Sequence, residues 1–118
     1  MQTIDLKYID PKPNKNLLDL GCGEGRHCFG AYMHSELSVF GFDMSLDDVK
    51  KAKKNFEQFD EENKKKSCSF GVTDARKLPF EDSCFDYIIC SEVLEHIIEY
   101  EEVLSEINRI LKPGGIFA

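Results

Sequence analysis

Residues 19–25 read Asp-Leu-Gly-Cys-Gly-Glu-Gly, at the end of a short apolar run and just before a stretch with helical spacing. Glycines packed this densely at a strand-to-helix junction constrain the fold more than any other feature of the chain. Glycine tolerates positive φ, and its missing Cβ lets a ligand come close to the backbone. The helix that follows points its free N–H groups at the same place. Read alone, such a turn is a moderate signal. What strengthens it is Asp19 before the glycines and further acidic residues at later strand ends.

Beyond the turn, short apolar runs alternate with helical stretches, the pattern of strand–helix–strand units and a parallel sheet. Asn16 to Leu20 reads as a first strand, Leu37 to Phe42 as a second, Ser67 to Val72 as a third and Phe85 to Cys90 as a fourth. The fourth is apolar enough to be buried on both faces. A first helix is expected from Glu24 to about His34, with Phe29, Tyr32 and Met33 as its apolar positions. Ser45 opens the clearest helix, with Asp48 as its capping-box partner and Leu46, Val49, Phe56 and Phe59 near helical period. Thr73 to Ser83 reads as mostly loop. Glu99 to Leu111 reads as a helix with Val103, Leu104, Ile107, Ile110 and Leu111 on one side. Lys112-Pro113-Gly114-Gly115 stops it, and Ile116 to Ala118 begins a fifth strand. The expected fold class is therefore α/β: an open, mainly parallel Rossmann-like sheet with flanking helices, one incomplete domain over residues 1–118. Its last strands are missing, so a fragment of a longer protein is expected.

Composition narrows the partners. At 118 residues and a net charge of −7, most of the surface repels a phosphate backbone, which argues against nucleic acid. The lysines at 50, 51, 53, 54 and 64–66 read as a solvated helix face. No apolar run reaches the roughly 18–20 residues that span a bilayer. The N-terminus shows no secretory signal, so a cytoplasmic location is expected. Five cysteines (Cys22, Cys28, Cys68, Cys84, Cys90) with no CxxC pair read as reduced thiols, mostly buried. His27, His34 and His96 make no metal-ligand spacing with them, so no metal site is expected.

Two further aspartates carry the chemistry. Asp43 lies just after the second strand, where a carboxylate can accept two hydrogen bonds from the ribose hydroxyls of an adenosine; a helix-start charge is the plainer alternative. Asp74 lies just after the third strand, where it can accept from an adenine amino group or simply form a turn. Aspartates at the ends of three successive strands gather at one sheet edge, which is harder to attribute to chance than any one of them.

With these residues in place, the chain resembles the class I S-adenosylmethionine (SAM)-dependent methyltransferases, especially the subfamily that often acts on small molecules. Leu17-Leu18-Asp19-Leu20-Gly21-Cys22-Gly23-Glu24-Gly25 is similar to the family's glycine-rich motif, and Asp43 to its acidic second motif. Asp74-Ala75 with Leu78-Pro79-Phe80 and Phe85-Asp86, Val93-Leu94-Glu95-His96, and Leu111 to Gly115 resemble further signatures. The resemblance implies a methyltransferase that uses SAM and releases S-adenosylhomocysteine. It implies that Asp19, Gly21, Cys22 and Gly23 meet the methionine end, Asp43 the ribose, Met44 the adenine face, Asp74 and Ala75 the adenine edge, and Cys90 and Ser91 the region of the methyl. The site would lie between the first and fourth strands, where the winding of the sheet reverses. The acceptor, a small molecule or a protein, is not specified, nor is the oligomeric state. The general base is unassigned: His96, Glu92 and Glu95 read first as structural, and Arg26 and His27 as neighbours of the cofactor carboxylate. The alternatives are a NAD-type oxidoreductase, whose GxGxxG pattern has Arg26 where its third glycine belongs, and a SAM-binding module that binds without turnover.

Overall fold

A computed structural model describes residues 15–25, 28, 37–59, 67–90 and 100–118. Five strands form one sheet: β1 Asn16–Leu20, β2 Ser38–Asp43, β3 Ser67–Val72, β4 Phe85–Cys90 and β5 Leu111–Phe117. Their order is β3-β2-β1-β4-β5, with every neighbouring pair parallel. From β1 the chain winds outward through β2 to β3, then crosses back to place β4 on the other side of β1. The reversal between β1 and β4 is where open α/β sheets bind ligands, at the carboxyl ends of the strands.

Alternation along the strands divides the apolar residues between two faces. Leu17, Val39, Tyr87 and Ile89 pack with Cys22, Cys28 and Leu37, joined by Phe56, Cys68 and Phe70. Leu18, Leu20 and Ile88 pack on the opposite face with Val103, Ile107 and Ile110. Helix α1 (Leu46–Phe59) covers β2 and β3 on the first face. Helix α2 (Tyr100–Ile110) covers the second through its buried Val103, Ile107 and Ile110.

Element boundaries depart from the sequence reading in ways that have local causes. β2 starts and ends one residue later than expected, because Asp43 still pairs with Val72 in the ladder. Leu46 is exposed rather than core, since α1 turns Val49 and Ala52 inward instead. Leu104 is likewise exposed, and Leu111 belongs to β5 rather than to the helix. β5 begins well before Ile116: Leu111 pairs with Phe85 and Ile116 with Tyr87, so residues 112–115 bulge between two consecutive pairs. Gly114, at φ 81°, supplies the conformation that such a bulge favours. All five cysteines are free, but only Cys22 and Cys28 are buried; Cys68, Cys84 and Cys90 are half-buried, fewer buried than expected. Of the expected first helix, Glu24 and Gly25 still belong to the glycine turn, with Gly25 at φ 95°, and Cys28 is helical; the rest lies outside the described residues. Ser91, Glu92, Glu95, His96, Arg26 and His27 also lie outside them.

Candidate functional site

Parallel pairing brings the carboxyl ends of β1 to β4 to one edge, and backbone hydrogen bonds join the segments that follow them. Gly21 and Cys22 both donate to the carbonyl of Phe42, at 2.7 and 3.1 Å, and Thr73 donates to that of Asp43 at 3.0 Å. Leu20, at the end of β1, is level with Phe42 on one side and Cys90 on the other. The glycine turn, Asp43, Thr73-Asp74 and Cys90 therefore share one rim of the sheet.

The turn itself needs its glycines. Gly21, Gly23 and Gly25 have φ of 78°, 54° and 95°, conformations that side chains with a Cβ rarely adopt. A Cβ built on Gly23 would meet nothing within 4 Å, so space is open beside the backbone there.

Asp43 ties the rim together. Its Oδ2 accepts the Gly23 N–H at 2.9 Å and its Oδ1 the Ser45 N–H at 2.8 Å. One carboxylate thus holds the glycine turn and the entry to α1. Ser45 caps α1 as expected, its Oγ accepting the Asp48 N–H at 3.2 Å. The reciprocal half of the capping box is absent: Asp43, not Asp48, takes the Ser45 N–H. An ionised carboxylate has about four acceptor positions, so half-buried Asp43 keeps capacity on both oxygens.

Asp19 is fully buried. Its Oδ2 accepts from the Cys28 thiol at 3.5 Å, while its Oδ1 has no hydrogen-bond partner among the described residues. Burial pushes its pKa from 3.8 up to about 7, opposed by the Cys28 hydrogen bond and reinforced by the negative charge of Asp43. A buried carboxylate oxygen without a partner, beside a second carboxylate, is a place that a cation would stabilise.

Asp74 is differently engaged. Its side chain accepts the Arg76 N–H and forms a bidentate pair with the Arg76 guanidinium, the closest contact 2.7 Å. That pairing lowers its pKa to about 2. The turn-forming alternative for Asp74 is therefore realised in the structure, and its carboxyl is largely committed. Next to it Ala75 is buried and Met44 stands exposed on the β2 side of the rim.

The segment carrying Asp74 and Ala75 is anchored from below by Phe80, from the Leu78-Pro79-Phe80 stretch, and by Glu106 and Arg109, which the sequence reading did not single out. Phe80 sits edge-on between Phe42 and Phe85, with centroids 5.0 and 4.9 Å away. Arg109 on α2 donates to the carbonyls of Phe80 and Leu78 and to Asp82 and Glu106. Glu106 in turn accepts the Leu78 N–H at 2.8 Å. These partners are 27 to 31 residues from Arg109 apart from Glu106, and no local motif announces them. Arg109→Met should lower the melting temperature by several degrees and leave part-buried Glu106 without its guanidinium. SAM binding, if the rim is the site, should weaken by about tenfold, the scale of one lost hydrogen-bonding anchor; thermal melts and calorimetry check both.

A family profile described as "Methyltransferase domain" matches residues 11–118. The chain belongs to the class I SAM-dependent methyltransferase family. A curated relative, norajmaline N-methyltransferase of Rauvolfia serpentina, is 35% identical over 92% of the chain and 36% of its own length. An O-methyltransferase of Pyrenophora dematioidea is 30% identical over 93% of the chain and 40% of its own length. Among solved structures, a SAM-dependent methyltransferase from Methanosarcina mazei superposes with a TM-score of 0.84 at 24% identity, over 99% of the chain and 57% of its own; at that identity the likeness is one of fold. The chain thus spans well under two thirds of these relatives' lengths. Membership of the methyltransferase family sets aside the NAD-type alternative.

Proposed function

We propose that this methyltransferase-family chain is the single-domain, cofactor-holding core of an enzyme that methylates a small-molecule or protein acceptor with SAM. One observation carries the reading: a glycine turn and two carboxylates, one of them buried with an oxygen that has no partner among the described residues, meet at the switch point of the sheet. When bound, SAM supplies an electrophilic methyl on a cationic sulfur, and the product is S-adenosylhomocysteine. The chain's own residues bind and orient it. Gly21, Cys22 and Gly23 give the amino-acid portion an open backbone surface, and Asp19 provides negative charge for its ammonium. Asp43 uses its remaining lone pairs for the ribose diol. Met44 covers the adenine face, with Ala75 and the Arg76-paired Asp74 along its edge. Cys90, with Ser91 after it, borders the methyl.

The relatives' names span an N- and an O-methyltransferase, which supports leaving the acceptor atom open. The net charge of −7 favours an acceptor other than nucleic acid. Free cysteines throughout support a reducing, cytoplasmic setting. None of the described helices is long and apolar enough to cross a membrane. Calorimetric titration with SAM and with S-adenosylhomocysteine tests the reading: both should bind at one site per chain. Binding by neither would overturn it. Binding of both without methylation of any acceptor would leave the non-catalytic SAM-binding module as the correct description of this chain.

A further inference from the structure

The cofactor roles above leave one buried group unused, the thiol of Cys28. It is completely buried, and its Sγ lies against Gly41 of β2. A Cβ on Gly41 would lie 2.5 Å from that sulfur, so Gly41 makes the space in which Cys28 reaches Asp19. A thiol has one hydrogen to donate. Two other thiols, Cys22 and Cys68, lie within reach of Cys28. Cys22 directs its own Sγ to the Gly23 carbonyl at 3.5 Å. The strongest acceptor facing Cys28 is therefore the Asp19 carboxylate, which it meets through Oδ2. Oδ1 is left with no partner among the described residues.

We infer that Cys28 is a positioning residue: its thiol secures one oxygen of Asp19 so that the other is held, charged, for the ammonium of the cofactor's amino-acid portion. This rests on the SAM reading of the site. Among the described residues, the titratable groups facing Asp19 are Cys28 from the segment after the glycine turn, Asp43 at the end of β2 and Cys90 at the end of β4. Asp43 repels the Asp19 charge, and the surrounding apolar core disfavours it. Among the described residues the thiol is the one neighbour that favours it. An aliphatic side chain would fill the same volume and leave Asp19 protonated over a wider pH range.

The experiment measures SAM affinity of the full chain from pH 5.5 to 8.5 by calorimetry, for the wild type, Cys28→Ala, Cys28→Val and Cys28→Ser, with melting temperatures at each pH. Wild-type binding should tighten as pH rises through about 7, where Asp19 ionises. The alanine and valine variants should move that midpoint up by about half a pH unit or more, because a hydrogen bond to the charged form is gone. At pH 7 they should bind roughly threefold or more weakly, and serine, which can still donate, should recover most of the loss. Carboxyl ¹³C titration of Asp19 in the ligand-free chain should show the same displacement. Two apolar variants guard against one failing to fold. A midpoint unmoved in the apolar variants, with affinity altered by one factor at every pH, would reduce Cys28 to packing and overturn the inference alone. Failure of the wild type to bind SAM at any pH would overturn the reading of the site, and the inference with it.

Discussion

Asp19→Asn is expected to abolish SAM binding and, above neutral pH, to stabilise the ligand-free fold. The two effects have one cause. Asp19 is buried with a folded-state pKa near 7 against an ordinary 3.8, so the folded chain holds that proton more tightly than the unfolded one. Stability linked to this group is fully present below pH 3.8 and is lost as pH rises toward 7. A displacement of that size corresponds to about 4 kcal/mol by pH 8. Asparagine does not titrate, so it escapes this loss, although its buried amide gives back part of the gain through an unpaired N–H. Urea unfolding of both proteins at pH 5 and pH 8 should show the stability difference swinging toward the variant by a few kcal/mol. Parallel pH profiles for the two proteins would mean that Asp19 is not the strained group described above.

Asp43→Ala should damage both the fold and the site. It removes the acceptor for the Gly23 and Ser45 N–H groups, which costs about 1–3 kcal/mol of stability. In the SAM site the same change deletes the ribose acceptor and frees the glycine turn, so affinity should fall by about 10- to 100-fold. Asp43→Asn keeps one acceptor oxygen and should lie between the two. Calorimetry beside denaturant melts separates the effects. SAM affinity within about twofold of the wild type in the alanine variant, on the scale of ordinary surface substitutions, would remove Asp43 from the ribose subsite.

How far the sequence anticipated these residues depends on the range of the interaction involved. β1, β3 and β4 were legible because each is a short segment with apolar residues at its core between turn signals, and their observed bounds coincide with the expected ones. Ser45 was legible as a cap because capping is a contact over three residues. The end of α2 was legible from Lys112-Pro113-Gly114-Gly115, but the early start of β5 was not: a bulged strand lacks the alternation by which strands are read. The gathering of Asp19, Asp43 and Asp74 at one rim followed from the parallel order. What each carboxyl touches did not. Cys28 reaches Asp19 only because Gly41, far along the chain, gives way to it. Arg76 claims Asp74 by a side-chain geometry with no sequence signature. The clasp of Arg109 on residues 78–82 is invisible until the sheet has been assembled.

The position of β1 also bears on how the chain is made. It is the earliest in sequence of the five described strands and the central one of their sheet, and its register partner on one side, Tyr87 opposite Leu17, is some seventy residues away. Until Phe85–Cys90 has left the ribosome, a growing chain that has already paired β2 with β1 and β3 presents a raw apolar border along Leu17, Leu18 and Leu20. Closing such a distant pairing is slow compared with local folding. During that interval the exposed border is the part of the nascent polypeptide most open to non-native association.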